Sequence, residues 1–492
     1  MEKDFIIELK KIDKTFHTRK NLDFVSVGIE RGTIHGLVGE NGAGKSTLIK
    51  IIAGIVKADS GEVYMNGKLC KFAAPVDARR AGICVIHQEI KLAEPLSVAE
   101  NLFLGNLMYK NGVVDWKGMK RKAKDLIESL GVEIDVDAPV ESLSVAKKQI
   151  VEILHAINFK SEVLIMDEPS AILTDRELDV MFDIVKKLRD QGITVIYISH
   201  RLDEIFDLCD RVTVLRDGQH IGTFPVADLD RNRLIKMMVG REMETEYPKE
   251  KAEIGETVME VKNLSCGFLK DISFEVKAGE VFGISGLVGS GRTELARAIL
   301  GIDRKTGGEV YIRGKKVNYR HFRHAISDSL GLIPEDRKLQ GLVQKMPICE
   351  NITLANLEKV IRHGQIDKKT EIAESENYVR KLRIACSSTS EWVSHLSGGN
   401  QQKTVIAKWL FRESGILFLD EPTRGVDIGA KVEIYKLINE MVKSGKTVIM
   451  ISSEMPELLG MCDRIMVMHE GRKKGEFPAG EATQEKIMAL CT

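Results

Sequence analysis

Gly39-Glu40-Asn41-Gly42-Ala43-Gly44-Lys45-Ser46 follows an apolar run from Thr33 to Val38 and opens a helical pattern from Lys45 to Ala53. Glycines at this spacing let the backbone curl so that successive N–H groups point inward, and the helix that follows adds its positive end. Lys45 supplies a point charge and Ser46 a hydroxyl suited to Mg²⁺, so a nucleoside triphosphate is the natural occupant. The stretch is written a second time as Gly286-Leu287-Val288-Gly289-Ser290-Gly291-Arg292-Thr293, with Arg in place of the phosphate-binding Lys. Further on the loss is reversed. Leu396-Ser397-Gly398-Gly399-Asn400-Gln401-Gln402 answers to Leu143-Ser144-Val145-Ala146-Lys147-Lys148-Gln149, where both glycines are gone.

The repeat is measurable by its spacing. Lys45 and Arg292, like Gln88 and Glu335, lie 247 residues apart; Ser144 and Ser397, Asp167 and Asp420, and His200 and Ser453 lie 253 apart. The six extra residues of the second copy therefore fall between its Glu335 and Ser397, where a loop or peripheral subdomain absorbs length. Between the copies runs Arg241 to Gly255, REMETEYPKEKAEIG, charged and poor in apolar residues, as an exposed linker reads. The domains are expected at 1–241 and 256–492, with 242–255 as the linker.

Within each copy short apolar runs alternate with helical patterns: Val163 to Met166, Thr194 to Ile198, and their counterparts Val281 to Ser285, Ile416 to Leu419 and Thr447 to Ile451. Runs of this kind predict an α/β fold, a mainly parallel sheet covered by helices, with functional residues on loops at the strand ends. Lys+Arg and Asp+Glu both number 72, so no net field recruits nucleic acid or an anionic membrane. The eight cysteines show no C-x-x-C spacing and read as reduced thiols. No stretch approaches the roughly 18 apolar residues a membrane helix requires; membrane association is expected to go through a partner.

Asp167 and Glu168 end the apolar run from Val163, which sets Asp167 beside a Mg²⁺ shell and Glu168 where it can take a proton from an attacking water. Alone, the pair reads equally well as solvated acids at a strand end. His200, after the run Thr194 to Ile198, can hydrogen-bond a terminal phosphate, although a lone His there also suits a structural role. Gln88, just after Ile83 to Ile86, can ligate Mg²⁺, and by itself means nothing.

Order and spacing decide among these readings. Phe16, the glycine loop, Gln88, Leu143-Ser144, Asp167-Glu168 and His200 form a series that resembles the ATP-binding cassette family, over nearly the whole chain twice. The resemblance implies two tandem P-loop NTPase domains, each with a helical subdomain, that close head to tail within one chain. ATP then lies between one cassette's glycine loop and the other's Leu-Ser-Gly-Gly signature. One composite site inherits every intact part: Phe16 on adenine; Gly39, Glu40, Asn41, Gly42, Ala43, Gly44, Lys45, Ser46 and Thr47 on the phosphates; Ser46, Gln88 and Asp167 around Mg²⁺; Glu168 and His200 for hydrolysis; and Ser397, Gly398 and Gly399 closing it. Its companion holds Gly286, Gly291, Arg292, Thr293, Glu335, Asp420, Glu421 and Ser453, closed by Ser144, Val145 and Ala146. The first is expected to hydrolyse ATP, and the second to bind poorly, slowly or without turnover. Glu421 survives, so that expectation rests on the other losses: a guanidinium larger than an ammonium, a carboxylate for an amide at Glu335, no imidazole at Ser453, and side chains where glycine permits close approach.

The second copy's Ile333-Pro334-Glu335-Asp336-Arg337-Lys338 and Ser397-Gly398-Gly399-Asn400-Gln401-Gln402-Lys403 look like those of the ATPase subunit of bacterial monosaccharide importers. That resemblance implies membrane permease subunits, a periplasmic or lipid-anchored sugar-binding protein, and a peripheral place on the cytoplasmic face of the cell membrane. Ribose stands first among the sugars, with galactose and xylose next. Lys147 and Lys148 depart from the glutamines more usual there. The competing class, tandem cassettes acting on ribosomes or DNA, predicts two intact sites with a long basic linker, or zinc-binding cysteines and coiled coils; this sequence shows none of them, so no nucleic-acid partner is expected.

Overall fold

The computed structural model describes residues 4–16, 19–40, 42–87, 90–159, 161–170, 173, 175–199, 201–240, 246–287 and 289–491. They form two compact units, Met1–Met243 and Glu244–Thr492. In the first, every residue of Ile34–Val38 is buried. It lies parallel to Thr194–Ile198 on one side and to Arg211–Arg216 on the other. Val163–Asp167 and Ile83–Ile86 continue the parallel sheet, and Gln219–Pro225 adds an antiparallel edge. Central strands covered on both faces have no polar side, hence their largely apolar runs, in which even His35 is buried.

A second sheet, fully antiparallel, was not anticipated from the sequence: Arg19–Glu30, Phe5–Phe16, Ser60–Met65 and Lys68–Cys70. Its inward residues Ile7, Leu9 and Val25 share one core with Leu48, Ile49 and Ile52 of the helix Lys45–Ile52 and with Ile165 and Ile198 of the parallel sheet. That helix, and the glycine loop before it, is held from both sides. The second unit repeats the plan strand for strand, with Leu330–Ile333, Ile416–Asp420, Thr447–Ile451, Val281–Gly286, Arg464–His469 and Arg472–Pro478 in one sheet. The antiparallel sheet there is Leu269–Lys277, Thr257–Cys266, Gly307–Ile312 and Lys315–Val317.

The extra length of the second copy has a definite place. Asn101 and Asn351, 250 residues apart, make the same buried bonds: each side-chain amide donates to three carbonyls, Ala93, Leu96 and Ser97 for one and Val343, Met346 and Pro347 for the other. Half of the six residues therefore enter between Glu335 and Asn351. There they build a π-helical turn, Arg337–Gly341, capped by Asp336.

The charged stretch between the copies is tied down in its described part. Lys249 pairs with Asp463 at 2.9 Å, Asn439 donates to the Pro248 carbonyl, and the Tyr247 ring lies 5.6 Å from that of Tyr435. Residues from 246 onward thus pack on the second unit, in place of the exposed linker its charge suggested. All eight cysteines are free. Among the described residues no helix is long and apolar enough to cross a membrane.

Candidate nucleotide site

Parallel register brings the key segments of each unit to one edge. Ile198 lies opposite both Leu37 and Asp167, so the glycine loop, the Asp167-Glu168 pair and Ser199 emerge together at the strand ends. Gly44 shows why the loop is glycine-rich. Its φ of +103° lies in the left-handed region, and a Cβ there would stand 2.7 Å from the Asn21 carbonyl oxygen. Gly291 repeats it at +100°. Lys45 folds back over the loop and donates to the Gly39 and Glu40 carbonyls at 2.6 and 3.0 Å. Ala43 and Thr47 are buried, whereas Gly42 and Ser46 face solvent. Phe16 ends its strand 39% exposed, its ring covered on one side by the Lys14 ammonium at 5.3 Å; an open aromatic face of this kind can stack on a base. Asn41, Gln88 and His200 lie outside the described residues.

Glu168 and Glu421 share a feature not visible in the sequence. Each adopts a positive φ, +50° and +47°, uncommon for a residue with a side chain. Each is pinned there by its N–H, which donates to Ile198 at 3.0 Å or to Ile451 at 2.8 Å. The two glutamates thus share one backbone geometry at the ends of equivalent strands.

The two edges differ in where the loop cation reaches. In the second unit Arg292 does not lie over its loop as Lys45 does. Its Nη1 donates to the Ser452 carbonyl at 2.6 Å, and its Nη2 reaches Glu421 Oε1 at 3.4 Å, with both side chains only 10% exposed. Ser453 Oγ donates to the other oxygen, Glu421 Oε2, at 3.1 Å. Glu421 survives as a residue, but both its oxygens are engaged within its own unit. Burial pushes its carboxyl up, with Arg292 opposing.

The same contrast bears on a divalent cation. Ser46 and Asp167 offer the hard oxygen donors that Mg²⁺ takes, and burial, then the neighbouring Glu168 charge, pushes the Asp167 carboxyl up, a deficit that a cation would offset. That donor set fits. In the second unit Thr293 Oγ1 is spent on Asp420 Oδ2 at 2.7 Å, and burial pushes Asp420 up to about 6.

The signature segments also diverge. Ser397 and Ser144 each precede a helix, Gly398–Phe411 and Val145–Asn158. The Ser144 hydroxyl is spent on the Lys147 N–H, whereas Ser397 Oγ accepts from the Asn400 side chain at 2.9 Å. A Cβ on Gly398 would lie 2.6 Å from Arg337 Nη2, and one on Gly399 2.7 Å from Ala430 Cβ. Glu335 is ion-paired with Arg424. Sequence reasoning quoted Arg337 within a motif but gave it no role, although the extra length beside it was a signal.

Comparisons with known proteins bear on the family of the chain. The ABC transporter family model matches residues 22–171 and 269–424. The chain is 46% identical over 488 residues to the ribose import ATP-binding protein RbsA of Bacillus subtilis, covering 99% of each. It is 46% identical to the protein of the same name from Corynebacterium glutamicum, covering 99% of this chain and 93% of that one. It is 44% identical to a putative ribose/galactose/methyl galactoside import ATP-binding protein of Geobacillus kaustophilus, covering 100% and 98%. A solved nucleotide-free ATP-binding cassette from an ABC transporter is 28% identical and spans 48% of the chain and 96% of its own, with a TM-score of 0.41.

Proposed function

The chain belongs to the ABC transporter family, and from that premise we propose that it is the ATP-hydrolysing subunit of a ribose importer, with a single composite site that turns over. Ribose comes from the likeness to ribose import proteins along nearly the full length of both chains. The observation that carries the asymmetry is where the two loop cations reach. Lys45 folds over its own loop onto the Gly39 and Glu40 carbonyls, whereas Arg292 leaves its loop for the Ser452 carbonyl and Glu421.

In this reading the Gly39–Thr47 loop and Lys45 hold the phosphates, and Phe16 supports the base. Mg²⁺ held by Ser46, Asp167 and Gln88 would supply charge neutralisation on the phosphates. Glu168 orients a water toward the terminal phosphorus and accepts its proton; the new P–O bond forms as the bond to the ADP oxygen breaks, leaving ADP and phosphate. His200 steadies the terminal phosphate. The two cassettes pair head to tail within the chain, so that Ser397, Gly398 and Gly399 complete this site, and the second site regulates or stabilises closure. The subunit works on the cytoplasmic face of the membrane with permease subunits, and with a periplasmic or lipid-anchored sugar-binding protein upstream of them. Deletion of the gene tests the assignment: uptake of labelled ribose should fail and return with the intact gene, while loss of galactose or xylose uptake with ribose uptake retained would overturn the choice of sugar.

A further inference from the structure

We propose that Arg337 is a positioning residue for the hydrolytic centre, locking the second unit's signature and the turn after Glu421 into one rigid edge. The inference rests on the reading above, in which that signature completes the Lys45 site. Arg337 begins a turn without a counterpart among the described residues of the first copy; at the 247-residue spacing its position answers to Ile90. Its guanidinium forks onto two successive carbonyls, Nη1 to Arg424 at 2.7 Å and Nη2 to Gly425 at 3.2 Å. The same Nη2 fills the space where a Gly398 side chain would stand, and the Gly425 carbonyl lies 3.0 Å from that point. Glu335 holds Arg424 from the other side. One side chain thus fixes the first signature glycine against residues three and four places beyond Glu421.

The lock is costly, which argues that it serves more than folding. No carboxylate lies within ion-pair distance of Arg337 among the described residues, its Nε is buried without a partner, and burial pulls its pKa below the ordinary value. Its hydrogen-bond acceptors are carbonyls, and the neighbouring Asp336 charge offsets only part of the solvation it gives up. What it gains is direction, because a planar fork sets two carbonyls at once and a single ammonium cannot. The two copies agree internally. The second has Arg337 together with Gly398; the first has Ile90 together with Val145, and no arginine for which to leave room.

The test is steady-state phosphate release by the full chain. Arg337→Gln should lower kcat by about tenfold or more, as expected when a catalytic edge is loosened. The KM for ATP should stay within about twofold, since the phosphate loop lies wholly on the first unit. Arg337→Lys, which keeps charge and stem but loses the fork, should also fall several-fold, and it stands as the readout if the Gln variant melts early. Gly398→Ala should cost less in the Arg337→Gln background than in the parent, because the atom at 2.6 Å is gone. Parent kcat in both Arg337 variants, with Glu168→Gln inactive, overturns the proposal alone. An active Glu168→Gln overturns the reading beneath it.

Discussion

Arg292→Met asks what the second unit owes to the contact between Arg292 and Glu421. Removing one member of a buried ion pair typically costs about 3–5 kcal/mol, because the remaining charge stays desolvated. Two features lower that figure here. The contact is long, at 3.4 Å, and Glu421 keeps its bond from Ser453. Glu421 can also take up a proton, since burial already pushes its carboxyl up and Arg292 is the main influence holding it down. Together with the orphaned Ser452 carbonyl, these leave an expected loss of about 2 kcal/mol near pH 8. For a unit of this size that is a fall of roughly 4–8 °C in the second unit's Tm. The sign of the pH dependence follows. A carboxyl whose folded pKa is raised is penalised as pH rises through that value, so the deficit should shrink toward acid. Calorimetry of the full chain should show the loss in one of two unit transitions, and Arg292→Met/Glu421→Gln should recover much of it. A single variant that melts like the parent at pH 8, or a double variant no better than the single, would refute the reasoning.

Three further outcomes follow from named contacts. Gly44→Ala should weaken nucleotide binding by about tenfold or more in a fluorescent-nucleotide titration, because a left-handed φ and an Asn21 oxygen at 2.7 Å leave no place for the methyl; unchanged affinity would count against the loop as the binding element. Arg292→Lys should free Glu421 yet give no second hydrolytic event per cycle, since Ser453 and the Val145-Ala146 signature remain; two events would mean that Arg292 alone blocks turnover. Glu457, fully buried and bonded by Thr423 at 2.7 Å, is pushed up from 4.5 to about 7 by burial first and the Glu454 charge next. Its folded value exceeds the unfolded one, so this contribution is present below pH 4.5 and lost as pH rises to about 7, by at most about 3 kcal/mol. Glu457→Gln should flatten that part of the second unit's stability profile.

What could be read in advance was whatever depends on local spacing. The glycine loops lie where the sequence placed them, and Gly39 and Gly286 agree within a degree, at +155° and +154°, despite the change from Lys45 to Arg292. Central strands announced themselves through continuous apolar runs. The antiparallel sheets did not, because Phe5–Phe16 and its partners carry charged residues among the apolar ones and find their register only across distant strands. Long-range partners also hid the fate of the charged stretch from 246: Lys249 reads as solvated until Asp463, over two hundred residues on, meets it. Glu421 is the most instructive residue. By identity it is an intact catalytic group, and only the register that sets Ile451 beside Asp420 shows Arg292 and Ser453 reaching it.

The central claim is that one glutamate works and the other does not. Steady-state ATP hydrolysis by Glu168→Gln and by Glu421→Gln, measured side by side on the full chain, tests it most directly. The account predicts that the first variant is inactive and the second keeps most of the parent rate; equal loss in both would contradict it.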